Sequence, residues 1–565
     1  MKKARFTSLQ SNGPVFPESY SPKGYKLAGE TLPSLAEEML WNAARFLDSD
    51  YEKEAFYSSN KNMWLCLKPE LTVKQQNLSF PTDFIPVLKK MKADNEALKE
   101  AKKLLTKDEK LAIKAEKDAL KDQFGTAILD GETVPLSGYM IEAPNWIMTR
   151  GKDPRKFSWK YRVQPNEVIL NIVNGKAPAN WPEKNVTADD TSIWVMKYKI
   201  NCGHDGMSSF RQLNKIIAFA PSVSVRQANT AGKFDKSKDI LANWTHIQSE
   251  IEKGCLKGDQ EALIIYLIQH TGIRIGNERD DKFQALTYGM QTLQHEHMKL
   301  TPNTVTFDFL GKDSVPENRT IEIDPAIWKQ IDKLHRNSTK GNKIFNKANL
   351  NVNGYLKKIH PGATVKNLRT VVCNEVLINN LKQKKITKSN TEAEKIRGIF
   401  EANLEIAKTM NHQKNVGKNQ KEGEQKIAEK VAKTKNRVKE LKVRQAATLA
   451  KLNEKAAKFR KLYSNTPKLL KEKMAEIDTA KAKLVAQMEK AKLSIEKTEF
   501  ALDKKKLTKD IALGTSLCNY ADPNVIYSYC KSINLPVSRI FSASQMKSLS
   551  FAESVDANYW RTYPS

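Results

Sequence analysis

Apolar residues recur at helical spacing in two stretches of the N-terminal third. The stretch from Pro33 to Leu47 has this spacing and is predicted to form a helix. A longer stretch from Pro86 to Phe124 shows it too, with many lysine and glutamate residues between the apolar positions. We expect two exposed helices there, with a break near Leu105 and Thr106. Such charged helices are typical of a surface rather than a core.

Strand-like patterns follow between Asn145 and Ala218, and again after Thr304. The first region holds three short β-prone runs, VILNIV, SIWVMKYKI and KIIAFA. In the second, Thr304 to Leu310 (TVTFDFL) alternates as a half-buried strand does, GKDS follows as a turn, and Arg319 to Ile323 returns. The rest of residues 235–412 is predicted to be mainly helical. The hairpin matters because it carries Lys312 at its tip, where a side chain can project into a groove.

Residues 413–509 differ in character from the rest of the chain. They carry 28 basic and 12 acidic side chains, a net charge of +16. The prolyl break SNTP at residues 464–467 divides them into two helical segments. Apolar residues lie on a 3-4 spacing before the break and a heptad spacing after it: Ile427, Val431, Val438, Leu441, Leu452, Phe459 and Leu462, then Leu470, Met474, Ile477, Leu484, Met488, Ala491 and Ile495. Two such seams joined by a tight turn predict an antiparallel coiled-coil hairpin.

The charge of the whole chain indicates a polyanionic partner. With 565 residues and a net charge of +30, the protein is expected to hold several domains and to attract nucleic acid first and anionic membrane second. Its longest apolar stretch, near residues 262–268, is too short to span a bilayer, and the N-terminal MKKARFTSLQ lacks the apolar core of a secretory signal. Six scattered cysteines without a C-x-x-C pair favour reduced thiols over a disulfide framework or a zinc site.

Candidate chemistry centres on Tyr520, in the segment ALGTSLCNYADP that follows the predicted hairpin. A series of cationic side chains precedes it: Arg274 in TGIRIGNER, Lys312 in FLGKDS, Arg369 in VKNLRT and His412 in MNHQK. Taken singly, each is more often a surface group, and a lone tyrosine is more often part of a core. Together they provide a nucleophile, cations for a phosphate's developing charge and an acid for the leaving oxygen. Attack on a phosphodiester without a metal needs this combination.

Two other classes of phosphate chemistry are disfavoured. No G-x-x-x-x-G-K-[ST] segment occurs, so a P-loop motor that binds a nucleotide is not expected. Asp280 and Asp281 form the acidic pair nearest to the candidate residues, and they lack the further carboxylates of a two-metal nuclease. We therefore expect no metal and no cofactor.

Several motifs together resemble one family over nearly the full length. IRIGNER, DFLGKDS, NHQ and LGTSxxNYxDP occur in that order, with the charged helical hairpin between the last two. GPVFPESY near residue 13, TKDEKLAIKAE near 106 and TRGKDP near 149 also fall where the eukaryotic type IB DNA topoisomerases have similar strings. The chain is similar to that family, and ALGTSLCNYADP is the most specific of the matches.

The resemblance implies a role for each candidate residue. Tyr520 would attack the DNA backbone and become linked to a 3′ phosphate, while Arg274, Arg369 and His412 would bind its non-bridging oxygens. Lys312 would protonate the departing 5′ oxygen from the minor groove. Further DNA-binding positions would be Asp313 and Asn519 beside the cleavage site, and Arg150 and Lys160 in TRGKDPRKFSWK. The family nicks one strand, allows controlled rotation to relax supercoils and reseals without ATP.

The resulting prediction is a multidomain α+β protein. It comprises an N-terminal DNA-binding cap (1–220), a mainly helical, tyrosine-recombinase-like catalytic domain with a β-hairpin (221–412), a coiled-coil linker (413–508) and a small helical C-terminal domain with the tyrosine (509–565). We expect a monomer that binds duplex DNA, with no membrane partner, in the nucleus; a viral particle or factory, or a mitochondrion, is the alternative. A tyrosine recombinase or integrase, or a non-catalytic basic DNA-binding protein, remains open as another function.

Overall fold

Helices predominate in a computed structural model that describes residues 5–58, 61–203, 212–277, 285–414 and 420–564. The helices are α1 Ser34–Ala43, α2 Glu52–Phe56, α3 Asn62–Leu67, α4 Val73–Gln76, α5 Ile85–Leu104, α6 Lys107–Phe124, α7 Ser224–Ala242, α8 Trp244–Leu256, α9 Gln260–Thr271, α10 Pro325–Arg336, α11 Val352–Ile359, α12 Val365–Lys384, α13 Glu392–Thr409, α14 Gln420–Leu462, α15 Pro467–Leu507, α16 Leu513–Asn519, α17 Pro523–Ser532 and α18 Ala543–Ser548. The strands are β1 Leu9–Ser11, β2 Lys26–Leu27, β3 Glu30–Thr31, β4 Thr126–Leu129, β5 Glu132–Pro135, β6 Asn145–Trp146, β7 Trp159–Lys160, β8 Val168–Asn171, β9 Val186–Thr187, β10 Trp194–Asn201, β11 Gln212–Ala218, β12 Met298–Thr301, β13 Thr304–Leu310 and β14 Pro316–Glu322. The mixed α+β class predicted from the sequence is confirmed.

The chain packs as two compact units that both draw on distant parts of the sequence. The first comprises Met1–Lys233, Arg274–Asn346 and Lys547–Phe551, and the second Phe234–Ile273, Lys347–Met546 and Ala552–Ser565. The four domain boundaries predicted from the sequence stay a prediction.

Two apolar cores hold the N-terminal part of the first unit. One lies around the sheet of order β11-β10-β8-β9, where side chains of β8 and β10 are fully buried. The other packs α1 and the start of α5 on β6 and β7, whose Trp146 and Trp159 rings meet edge to face at 4.9 Å. The three β-prone runs predicted from the sequence correspond to β8, β10 and β11.

The charged stretch after Pro86 forms α5 and α6 with a break at the predicted place. Leu105 leaves the helical conformation, and Thr106 starts α6: its hydroxyl accepts the Glu109 N–H at 3.2 Å, and the Glu109 carboxylate accepts the Thr106 N–H at 2.7 Å. α6 buries none of its residues, as predicted. The expectation of two exposed helices is wrong for the first turns of α5, which bury Val87, Leu88 and Met91 in the core.

The predicted hairpin is part of a three-stranded antiparallel sheet, β12-β13-β14. Thr304 pairs with Glu322 and Leu310 with Pro316, while Val305, Phe307 and Phe309 are buried on one face. The return strand starts at Pro316, earlier than the predicted Arg319, and β12 was not predicted. Both strands are paired along their full lengths, so residues 311–315 form the tip.

In the second unit, the apolar helix α9 packs against α8, α11 and α12. The two predicted helical segments form α14 and α15, which pack together with Pro467 in the first turn of α15. That they form a coiled-coil linker stays a prediction. Val431, Val438 and Ile477 of the predicted seam are buried. Leu462 is not: it is 71% exposed at the last turn of α14, where the partner helix has not yet begun.

Candidate functional site

Tyr520 occupies the short joint between two helices of the second unit. It ends α16, where its N–H and that of Ala521 both donate to the Ser516 carbonyl at 3.1 and 3.0 Å. Asp522 then caps α17 by accepting the Asn524 N–H at 2.9 Å, and Pro523 fills the first helical position, where no amide hydrogen is needed. Tyr520 is half-buried. Its backbone is therefore fixed on both sides by helix ends.

Arg369 contacts the phenolic oxygen of Tyr520 directly. The side chain extends from α12, is 6% exposed and donates from Nη1 to Tyr520 Oη at 2.8 Å. Its Nε donates to the Gly272 carbonyl at 2.7 Å. Gly272 closes α9 in the left-handed region at φ 64°, and a Cβ there would lie 2.8 Å from the Met410 Cε. The guanidinium is thus held at two points beside the nucleophile.

His412 is the second cationic candidate whose side chain contacts Tyr520. The ring is 5% exposed, and its centroid lies 5.1 Å from that of Tyr520. The main-chain N–H of His412 donates to the Ala407 carbonyl at 2.9 Å, and the main-chain carbonyl of His412 accepts the Ala512 N–H at 2.7 Å. The chain that leaves α13 is therefore paired with the segment that leads into α16. This pairing brings His412 to Tyr520 although they lie 108 positions apart in the sequence.

The other two cationic candidates belong to the first unit. The Arg274 carbonyl accepts the Met290 N–H at 2.8 Å, which fixes the main chain at Arg274 to the loop before β12. Lys312 is exposed at the hairpin tip, where Asp313 and Ser314 both adopt positive φ angles of 63° and 55°. The structure thus brings together three of the five predicted catalytic residues in one unit and places two in the other. Their catalytic roles stay a prediction.

A cleft of about 710 Å³ lies beside the hairpin tip in the first unit. Its lining includes three residues of the tip and three of the segment that carries Arg150: Lys312, Asp313 and Ser314, and Thr149, Arg150 and Asp153. Gly151 packs so closely on the tip that a Cβ there would lie 2.2 Å from the Ser314 Oγ. Arg150 and Asp313, both predicted to bind DNA, therefore share one cleft with Lys312.

Lys160, also predicted to bind DNA, forms an ion pair with a carboxylate in this structure. Its ammonium pairs with the Glu142 carboxylate, which also binds Lys215 at 2.7 Å. Burial alone would raise the pKa of Glu142, but the hydrogen bonds and charges of the two lysines outweigh it and lower the pKa. Asn519, the remaining predicted position, is exposed beside Tyr520.

Sequence reasoning missed two residues near the nucleophile. Asp522 is 1% exposed, and burial raises the pKa of its carboxyl to about 6. Asn374 is a buried polar side chain on the apolar face of α12 and contacts the backbone at Tyr520. A lone amide among Val371, Val372, Cys373 and Leu377 was the available signal, because a buried polar group requires a partner.

The described residues show no group of three or more His, Cys, Asp or Glu side chains placed to hold a metal ion. Asp280 and Asp281 lie outside the described residues. All six cysteines are thiols in the described part of the chain. Nor does any helix of that part combine the length and apolarity needed to cross a membrane.

Comparisons with known proteins match successive parts of the chain to the same family. Three family models match: the DNA binding fragment of eukaryotic DNA topoisomerase I at residues 4–206, its catalytic core at 222–445, and the C-terminal topoisomerase domain at 492–561. DNA topoisomerase 1 beta of Arabidopsis thaliana is 27% identical over 98% of this chain and 59% of its own length. DNA topoisomerase 1 of Caenorhabditis elegans is 28% identical, over 97% of this chain and 66% of its own length. The Homo sapiens protein of that name is 26% identical, over 98% and 71%. The chain thus spans about three fifths of the plant relative.

Proposed function

Because the chain belongs to the eukaryotic DNA topoisomerase I family, we propose that it is a type IB DNA topoisomerase. In this proposal it cuts one strand of duplex DNA through a 3′-phosphotyrosine linkage, allows rotation that relaxes supercoils, and reseals the strand without ATP or metal. The observation that carries the proposal is the 2.8 Å contact from Arg369 Nη1 to Tyr520 Oη, with the His412 ring beside it.

The chemistry follows from what surrounds the phenol. A phenol that still holds its proton is a weak nucleophile, so it attacks a phosphodiester efficiently only when its target is made electrophilic. As Tyr520 Oη bonds to phosphorus, the half-buried phenol passes its proton to solvent water, and negative charge grows on the non-bridging oxygens. A buried guanidinium that already contacts Oη lies where that charge develops and stabilises the transition state more than the ground state. We propose that His412 and Arg274 bind the same phosphate.

The second half of the reaction concerns the leaving group. The bond from phosphorus to the 5′ oxygen breaks as the tyrosyl bond forms, and the departing oxygen needs a proton. We assign this proton to Lys312, whose position at an exposed hairpin tip suits access to the minor groove. The phosphotyrosine diester retains the energy of the broken bond, so attack by the 5′ hydroxyl reverses the step. Religation therefore requires no nucleotide.

The remaining assignments concern binding and architecture. Duplex DNA is the proposed partner, which the net charge of +30 supports. Arg150 and Asp313 are proposed to contact DNA from the cleft beside Lys312. Lys160 is proposed to leave its ion pair with Glu142 and bind a DNA phosphate instead. Asn519 is proposed to contact DNA beside the cleavage site. We further propose a monomer, a nuclear location, and the cap, recombinase-like core, linker and C-terminal domain described above.

The test is relaxation of a negatively supercoiled plasmid in EDTA by the wild type and by Tyr520→Phe. The phenylalanine variant loses the nucleophile, so we expect no relaxation and no covalent adduct, while duplex binding persists. Tyr463→Phe, which removes a phenol from the distal end of the coiled coil, serves as the matched control and should relax at the wild-type rate. Mass spectrometry of the trapped adduct should locate the linkage at Tyr520.

Three outcomes would contradict the proposal. Persistent relaxation by Tyr520→Phe would remove the nucleophile assignment. A requirement for one defined DNA site would favour a recombinase. Absence of any adduct in the wild type, with intact duplex binding, would favour a non-catalytic DNA-binding protein.

A further inference from the structure

One buried amide contacts the main chain on both sides of the nucleophile. Asn374, on α12, is 1% exposed. Its Nδ2 donates to the Tyr520 carbonyl at 3.0 Å, and its Oδ1 accepts the Asp522 N–H at 2.7 Å. These two groups flank Ala521, so the amide binds the tripeptide as a neighbouring β-strand would. The remaining hydrogen of Nδ2 goes to the Thr370 carbonyl, one helical turn earlier, at 2.8 Å.

This arrangement exceeds what packing of α12 alone requires. A side chain placed among buried apolar residues is costly unless its polar atoms are bonded. An aliphatic residue at position 374 would fill the space, but it would leave the Tyr520 carbonyl and the Asp522 N–H without their bond to α12. The amide therefore serves the segment that carries the nucleophile rather than its own helix.

The same helix also holds the other end of the tyrosine. Arg369 lies five residues before Asn374, about 7.5 Å along the helix axis, and its Nη1 contacts Tyr520 Oη. Asn374 fixes the backbone of Tyr520, and Arg369 contacts the tip of its side chain. One rigid helix thus sets both where the tyrosine starts and where its oxygen lies.

We propose that Asn374 is a positioning residue that holds Tyr520 in line for attack on phosphorus. The inference rests on the proposed function, because the attack is the step that needs the alignment. Displacement of a reacting group by about 1 Å can lower a rate about 10²-fold. Loss of the amide should therefore slow strand cleavage without weakening the grip on DNA.

The test compares Asn374→Asp with Asn380→Ala in the full chain. The aspartate keeps the shape and the acceptor for the Asp522 N–H but loses the donor to the Tyr520 carbonyl. Asn380 is a matched control on the same helix, since its Nδ2 also donates to the carbonyl four residues earlier, at 2.9 Å, and among the described residues it has no hydrogen bond to the Tyr520 segment. Asn374→Ser is measured as well, because it introduces no charge and should fold even if the buried carboxylate of the Asn374→Asp variant prevents folding.

The measurement is single-turnover cleavage of a duplex whose cut strand cannot be resealed, at a temperature well below melting. Its amplitude reports the fraction of folded enzyme, and its rate constant reports alignment. We expect the Asn374 variants to lower the rate constant about 10²-fold, with amplitude and duplex affinity close to wild type, and Asn380→Ala to stay within about twofold. A 5′-bridging sulfur, which leaves without a proton, should not restore the Asn374 variants.

The outcomes distinguish the positioning role of Asn374 from the proposed function of the protein. Wild-type rate constants in the Asn374 variants, or a loss confined to amplitude, would overturn the positioning role. An equal fall in Asn380→Ala would also overturn it. Failure of the wild type to form an adduct at Tyr520 would instead refute the proposed function.

Discussion

Replacing Asp522 by Asn should make the protein more stable at neutral pH. The carboxyl is 1% exposed, and burial raises its pKa from an ordinary 3.8 to about 6. A raised carboxyl pKa means that the folded state binds the proton more tightly than the unfolded state does. The wild-type free energy of unfolding should therefore fall as the pH rises from about 4 to about 6, and the full penalty should apply above that range. At 1.36 kcal/mol for each pH unit, the shift corresponds to about 3 kcal/mol.

Asparagine is the informative replacement because it keeps the helix cap and carries no charge. Its side-chain oxygen can accept the Asn524 N–H as the aspartate does, and asparagine is among the preferred capping residues. We expect Asp522→Asn to match the wild type near pH 4 and to exceed its free energy of unfolding by up to about 3 kcal/mol at pH 7.

The assay is urea denaturation of both proteins from pH 4 to 7.5, with hydrogen exchange of the peptide that covers α17 as a local reading. Taking the difference between the two proteins cancels the other titrating groups. Asp510→Asn, at an exposed carboxylate before α16, is the control and should give a difference near zero. Parallel pH curves for wild type and Asp522→Asn, or a variant less stable at pH 7, would refute the reasoning.

Two further changes test other parts of the site. Lys312→Ala should slow cleavage by about 10² to 10⁴-fold as the acid is lost, and a 5′-bridging sulfur substrate should largely restore it; no restoration would remove Lys312 from that role. Gly272→Ala should cost about 1–2 kcal/mol for the left-handed backbone and about 1–3 kcal/mol more for overlap with Met410, so melting should occur several degrees lower; an unchanged melting temperature would contradict the close packing.

Helical elements could be predicted from the sequence because their apolar period is long and regular. The break between α5 and α6 coincided with a capping pair at Thr106 and Glu109, and SNTP located the turn between α14 and α15. The errors lie at ends and edges. Leu462 continues the apolar spacing of α14, but spacing alone does not show where the partner helix starts. The four residues of β12 are too few for alternation to stand out, and their pairing with β13 is a tertiary property.

The candidate site also contains some residues that could be predicted from the sequence and others that could not. Tyr520, Arg369 and His412 were identified because motifs and chemistry make them candidates, and the structure brings these three side chains together. Asn374 could not be found in this way, since its partners near Tyr520 are main-chain groups 146 and 148 positions away that leave no mark in the sequence. Asp522 was missed because its effect comes from burial in the fold.

The pairing of residues 412–414 with 510–512 has a consequence for how this protein can vary. The chain leaves the histidine and, after the whole hairpin, re-enters the domain next to its own point of departure. If α14 and α15 lengthen or shorten by the same amount, the distance between those two points stays the same. The hairpin is therefore a part whose size natural selection can adjust without retuning the chemistry at its base.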